Sequence, residues 1–169
     1  FNTDSVKETM NILNTLWNSF SFLESYCKKV AKPDNFEFED LWIMARIGRV
    51  VDSCEKSNRS YNAAESVRVL REFILKDLSR WYIRLIRERT WPSYEGADKN
   101  AAFYAMYYVF EKLAKVLAPV CPFISEVIYR SVSGEKESVH LEDWPTTENE
   151  DTKTEVIMGR AREIVEAIN

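Results

Sequence analysis

Residues 76–91 read KDLSRWYIRLIRERTW. Wound as a helix, Leu78, Trp81, Tyr82, Leu85 and Ile86 fall at the i, i+3, i+4, i+7, i+8 spacing of a core-facing stripe. Lys76, Arg80, Arg84 and Arg87 fall at i, i+4, i+8 and i+11, which gathers them on roughly the opposite side. One face is fit for burial, and the other presents cations to solvent or to a partner. Trp91 and Pro92 end the run, because proline lacks the N–H that the next helical hydrogen bond needs.

Working outward, this helix starts near Asn62, with Glu65 as its cap partner, and runs to about Thr90. Ala64, Val67, Leu70 or Arg71, and Ile74 extend its stripe, giving a rod on the order of 40 Å long. Upstream, a first helix spans about Asp4 to Val30, with Ser5 and Glu8 as a capping box. Val6, Met10, Leu13, Trp17, Phe20, Leu23, Cys27 and Val30 form its seam. A second helix spans about Phe38 to Lys56, where Gly48 reads as a point of close helix packing. Downstream, Pro92 to Asp98 is a loop, and Asp98 caps a fourth helix that ends at Leu117. Its buried face is Phe103, Met106, Tyr107, Phe110, Leu113, Ala114 and Leu117. Pro122 suits the first turn of a fifth helix, with Phe123, Ile124, Val127 and Ile128 apolar, and Ser133 and Gly134 end it. Val139 to Leu141 reads as a short extended piece. A last helix, about Thr154 to Ile168, carries Ile157, Ala161, Ile164, Val165 and Ile168 on one side. The expected fold is all-α: an antiparallel helical bundle over 1–132 and a C-terminal extension over 133–169 with an acidic loop and the final helix.

Bulk properties agree. A chain of 169 residues, 46% apolar and 30% charged, buries a sizeable core and is neither a disordered tail nor a membrane protein. No apolar run reaches the length of a membrane span. Phe1 is not an initiator methionine and no signal-peptide pattern follows it, so a segment of a longer protein is expected. Cys27, Cys54 and Cys121 are odd in number and contain no C-x-x-C pair. A reducing cytoplasm fits them, and no metal site is expected. The net charge of −4 argues against a general nucleic-acid binder. Between Arg68 and Trp91, however, seven basic residues stand against three acids. Such a local basic surface on an acidic chain binds phosphates in one place and repels them elsewhere. From Glu135 to Glu155 the balance reverses, with eight acids against Lys136 and Lys153.

No catalytic constellation stands out. His140 is the single histidine and sits in the acidic loop. No glycine-rich phosphate loop exists.

Five blocks of the chain, in order, resemble the anticodon-binding helical domain of the isoleucyl-tRNA synthetase family, in its archaeal and eukaryotic-cytosolic branch. They are Leu16–Phe20, Asp40–Ile43, Asp77–Arg87 with Arg89 and Trp91, Leu117–Glu126 around its two prolines, and Ser138–Pro145. The resemblance implies the same bundle, placed after a class I catalytic domain. It implies that the chemistry, ligation of isoleucine to its tRNA with ATP and magnesium, lies outside this segment. The His-Ile-Gly-His and Lys-Met-Ser-Lys-Ser signatures are absent here, and no cofactor is expected within it. The implied partners are the anticodon stem-loop of the isoleucine tRNA and the catalytic and C-terminal regions of the same protein.

An anticodon loop offers phosphates and unstacked bases, so its recognition needs cations and flat groups. Lys76, Arg80, Arg84, Arg87, Arg89 and Trp91 supply these, and they are the candidate tRNA-binding residues. Trp17, Trp42, Trp81 and Tyr82 are expected in the core. Family members often carry a basic residue where Leu41 stands, so a contact there is not carried over. Two other readings stay open: the equivalent domain of a valyl, leucyl or methionyl enzyme, and a helical protein-interaction module that binds through its acidic segment and takes no RNA.

Overall fold

The computed structural model describes residues 3–147 and 152–168, the side chains of Ser5, Thr152, Lys153 and Glu166 excepted. The capping role expected of Ser5 therefore lies outside the described residues. All regular elements among the described residues are helical: α1 (Thr3–Tyr26), α2 (Phe38–Arg59), α3 (Ala63–Glu72), a π-helical segment (Phe73–Tyr82), α4 (Ile83–Thr90), α5 (Lys99–Leu117), α6 (Pro122–Val132), a 3-10 turn (Val139–Leu141) and α7 (Thr152–Ile168). The fold is the all-α bundle expected from the sequence.

α5 holds the centre and packs against α2, α4 and α6. Its Ala101, Ala102, Ala105 and Ala114 are buried, and their small side chains let the neighbouring helices approach closely. Phe103, Met106, Phe110, Leu113 and Leu117 fill the core as their spacing requires. Cys27 and Cys54 are buried there as well. Burial pushes the Cys27 thiol up to about 12 and the Cys54 thiol up to about 11, so both remain protonated, small apolar groups.

α3, the π segment and α4 form one continuous rod. Asn62 caps it by accepting from the Glu65 N–H at 3.3 Å, as the sequence predicts. Its midsection departs from the expected α-helix. The Ile83 N–H donates to the Leu78 carbonyl, five residues back, and this wider turn rotates whatever follows. Ile83, Ile86, Arg89 and Thr90 are buried beyond it, while Leu85 is 44% exposed and Trp81 sits at the edge. Val67 and Ala64, expected on the stripe, face outward.

Three other expectations are corrected. α1 ends at Tyr26 rather than Val30, and only its second half enters the core: Leu16, Phe20 and Leu23 are buried, with Cys27 just beyond its end, whereas Val6, Met10 and Trp17 are about half exposed. Residues 139–141 form a 3-10 turn, not an extended piece. There Glu126 accepts from the Val139 N–H and the Ser138 hydroxyl, each at 2.9 Å. In α6 and α7 the apolar stripes are out of phase with the packing. Ser125, Ile128, Tyr129 and Val132 are buried in α6, and Phe123 points to solvent at 88% exposure. In α7, Thr154 and Met158 are buried, and Ile157, Ile164 and Ile168 are exposed.

Candidate nucleic-acid interface

The rod's exit is held by a buried ionic node. Asp40, in the first turn of α2, is completely buried. The Tyr82 hydroxyl donates to its Oδ1 at 2.8 Å, and Arg89 Nη2 donates to its Oδ2 at 2.8 Å. Arg89 Nη1 also donates to Glu39 Oε1 at 2.6 Å. On the far side, Arg89 donates to the Asp98 carbonyl at 2.8 Å, and its Nε faces the Asp98 carboxylate at 2.8 Å. One guanidinium thus ties α4, α2 and the start of α5 together. Burial pulls the Arg89 pKa down, but its bonds and charge contacts to Asp40 and Glu39 outweigh that and leave it raised. Burial raises the Asp40 carboxyl above its ordinary value, against the opposing pull of Arg89 and Tyr82.

This placement corrects one member of the candidate set. Arg89 is 8% exposed and does not join the open cations. Its inward direction was legible in the spacing: it lies seven residues after Tyr82 and three after Ile86, on the buried face of the stripe.

Lys99 Nζ donates to the Trp91 and Tyr94 carbonyls at 2.8 and 2.9 Å, pinning the turn after the rod. Gly96 leaves room for the Tyr94 ring, which would lie 2.3 Å from a Cβ at that position. Tyr94 in turn donates to Asp98 at 2.8 Å. Trp91 remains 52% exposed. One side of its ring stacks on Tyr26, with centroids 5.6 Å apart and planes inclined by 17°.

Arg80, Arg84 and Arg87 do form an open ridge. All three are exposed, and none makes an ion pair among the described residues. The Arg84–Glu88 pairing that the i, i+4 spacing invites is not made. Lys76 is exposed too but stands at a loose 3.8 Å from Glu72, among the surface pairs of Arg68 with Glu65 and Glu72. Such exposed pairs are worth little. On one side the ridge borders a trough lined by Arg80, Trp81, Arg84, Leu85, Arg87 and Glu88, with Val165 of α7 on its far wall. On the other side Ser79, Ile83 and Arg87 border a groove completed by Asn18, Ser19, Ser21, Phe22, Ser25 and Tyr26 of α1. Sequence reasoning missed this α1 face, although Asn18, Ser21, Phe22, Ser25 and Tyr26 follow the i, i+3, i+4, i+7, i+8 pattern of a single stripe.

α7 is moored beside the trough by Asp77, a buried carboxylate in the π segment. Asp77 accepts from Arg46 Nε at 2.8 Å and from Arg162 Nη1 at 2.5 Å. The Arg162 guanidinium also lies 5.2 Å from the centre of the Trp81 ring and 5.8 Å from that of Trp42. The acids of the C-terminal segment serve internal bonds as well. Glu142 accepts from the Tyr129 hydroxyl at 2.5 Å and pairs with Lys115 at 3.2 Å. Glu155 pairs with Arg49 at 2.5 Å. No cluster of three or more His, Cys, Asp or Glu side chains able to hold a metal occurs among the described residues, and no helix there is long and apolar enough to cross a membrane.

A helical bundle with a bare arginine ridge and a half-exposed tryptophan at its end is consistent with the sequence families it matches. The chain belongs to the family described as the anticodon-binding domain of tRNA ligase, which matches residues 40–169. Within that class, it is 36% identical over 180 residues to the isoleucine–tRNA ligase of Pyrococcus abyssi. It is 37% identical over 184 residues to that of Methanosarcina barkeri and 34% identical over 182 residues to that of Methanopyrus kandleri. Each match covers 99% of this chain, and the chain spans 17% of the length of each relative.

Proposed function

We propose that this chain recognises the anticodon stem-loop of the isoleucine tRNA as part of an isoleucine–tRNA ligase. In that reading the parent enzyme is cytoplasmic, and the ATP and magnesium chemistry resides in the rest of it. The observation that carries the reading is the ridge of Arg80, Arg84 and Arg87, unpaired among the described residues, on a domain of this family. Guanidinium groups bind phosphate in a bidentate way and stack on bases, and no acid among the described residues pairs with these three. Lys76 adds charge at the upstream end, and Trp91 offers a flat face downstream. Arg89 contributes by tying the end of the rod to α2 and to the start of α5. The names of the relatives favour isoleucine over the valine, leucine and methionine systems. The inward use of Glu142 and Glu155 weakens the reading as an acidic docking module.

The test is a titration of the chain with the isoleucine anticodon stem-loop and with a copy whose anticodon is altered. The expected result is tighter binding to the first, with affinity falling steeply as salt rises, because several phosphates are neutralised. Equal affinity for both RNAs overturns the reading.

A further inference from the structure

We propose that Arg162 of α7 is a positioning residue for RNA binding: it keeps the buried Asp77 carboxylate occupied, so that the ridge cation Arg80 stays free for phosphate. The inference rests on the anticodon-binding reading above. It extends that reading to a residue on another helix that makes no RNA contact of its own. Asp77 lies on the rod itself, three residues before Arg80, and its side chain is 5% exposed. A buried carboxylate keeps its charge only where cationic donors meet it. On a helix, a cation three or four residues along is the ordinary partner of an acid. That local pair is not made here. Arg46 of α2 donates to Asp77 Oδ2 at 2.8 Å, and Arg162 donates to Oδ1 at 2.5 Å. Both oxygens are thus served from other helices, and Arg80 is exposed with no ion pair among the described residues.

The neighbouring arginines are already engaged. Arg46 serves the other oxygen, and Arg49 is held by Glu155 at 2.5 Å. Glu155 is itself near enough to Asp77 for the two charges to repel, so the local need for cations is high. The Arg162 guanidinium also stands 5.2 Å from the centre of the Trp81 ring, and Trp81 lines the trough together with Arg80 and Arg84. Removing the charge of Arg162 strands Oδ1 without its counter-ion. The free cation one turn further along the rod is Arg80. Its withdrawal toward Asp77 takes one phosphate contact from the ridge.

The test is a series of salt titrations of the chain with the isoleucine anticodon stem-loop. Arg162→Met is expected to flatten the slope of log affinity against log salt by about 0.7 to 0.9, the share of one phosphate contact, which at 0.1 M salt is a roughly sixfold loss of affinity. Arg162→Lys keeps the charge and is expected to hold the wild-type slope. Asp77→Asn combined with Arg162→Met is expected to regain that slope, because no carboxylate is left to draw Arg80. Arg80→Ala combined with Arg162→Met is expected to be no flatter than Arg80→Ala alone. Arg162→Gln, neutral but still a donor, carries the same series should Arg162→Met unfold the chain. A slope that stays flat when Asp77→Asn is added overturns the proposal, since Arg162 is then a phosphate contact itself or a mere support for α7. A wild-type slope in Arg162→Met, or a flat one in Arg162→Lys, overturns it as well. A wild-type chain with equal affinity for a stem-loop of altered anticodon overturns instead the anticodon-binding reading beneath it.

Discussion

Arg87 and Arg89 stand two residues apart on one helix and lead opposite lives. Arg87 is exposed, pairs with no acid among the described residues, and borders both concavities of the ridge. Arg89 is buried and bound to Glu39, Asp40 and Asp98. The residue type is the same, so type did not decide the outcome. Helix phase did: a two-residue step turns the side chain about 200° around the axis. A buried cation must meet acids, whereas an outward one is free to meet a ligand. The first kind of arginine builds the scaffold and the second is available for recognition.

The largest effect expected from this contrast is on stability. Arg89→Ala leaves Asp40 charged and without its counter-ion, and breaking such a buried pair typically costs about 3–5 kcal/mol. Urea unfolding followed by circular dichroism measures it. A loss below about 1 kcal/mol, the worth of an exposed pair, would return Arg89 to the surface set.

The same variant carries a pH signature. Burial already raises the Asp40 carboxyl above its ordinary 3.8, and removal of Arg89 raises it further. A carboxyl with a raised folded-state pKa favours folding at pH below its unfolded value and opposes folding as pH climbs through the folded value. The difference in stability between wild type and Arg89→Ala is therefore expected to shrink as pH is lowered from neutrality toward 4. A constant difference across that range would mean that Asp40 is not the group left stranded.

Much of this division was readable before any coordinates. The stripe of Leu78, Tyr82 and Ile86 gave the rod its buried side, and Arg80, Arg84 and Arg87 its open one. By charge alone Arg89 groups with the open cations. Its position seven residues beyond Tyr82 pointed the other way. The π segment was not legible, and neither were the contacts its Asp77 makes with Arg46 of α2 and Arg162 of α7, which are distant in sequence. The α1 groove escaped for another reason. Serine and asparagine carry little weight in a hydrophobic pattern, so a polar stripe ending in Tyr26 looked like an ordinary solvated face. In α7 the apolar stripe was real, but the ion pairs of Glu155 and Arg162 turn a different side toward the bundle.

A milder variant sharpens the picture of the node. Tyr82→Phe removes only the hydroxyl that donates to Asp40 at 2.8 Å and keeps the fully buried ring. Hydrogen bonds to charged groups contribute about 1.5–3 kcal/mol, so a loss in that range is expected, smaller than that of Arg89→Ala. Because both partners serve one carboxylate, the double variant is expected to lose less than the sum of the two. Strict additivity, measured by the same urea unfolding, would show that Tyr82 and Arg89 act on Asp40 independently.

The smallest stability effect belongs to the ridge, and there the absence of an effect is informative. Arg84 is exposed and makes no ion pair among the described residues, so Arg84→Ala is expected to change stability by no more than about 0.5 kcal/mol. Its loss should appear in RNA binding instead. Each phosphate contact removed lowers the slope of log affinity against log salt by about 0.7 to 0.9, so Arg84→Ala and Arg87→Ala are each expected to flatten it by roughly that amount. Arg89→Ala, measured where the variant remains folded, is expected to leave the slope unchanged, since its guanidinium faces Asp40 and no phosphate. If all three variants flatten the slope alike, the distinction between scaffold and recognition arginines collapses. If only Arg84→Ala and Arg87→Ala do so, helix phase has sorted one run of arginines into two functions.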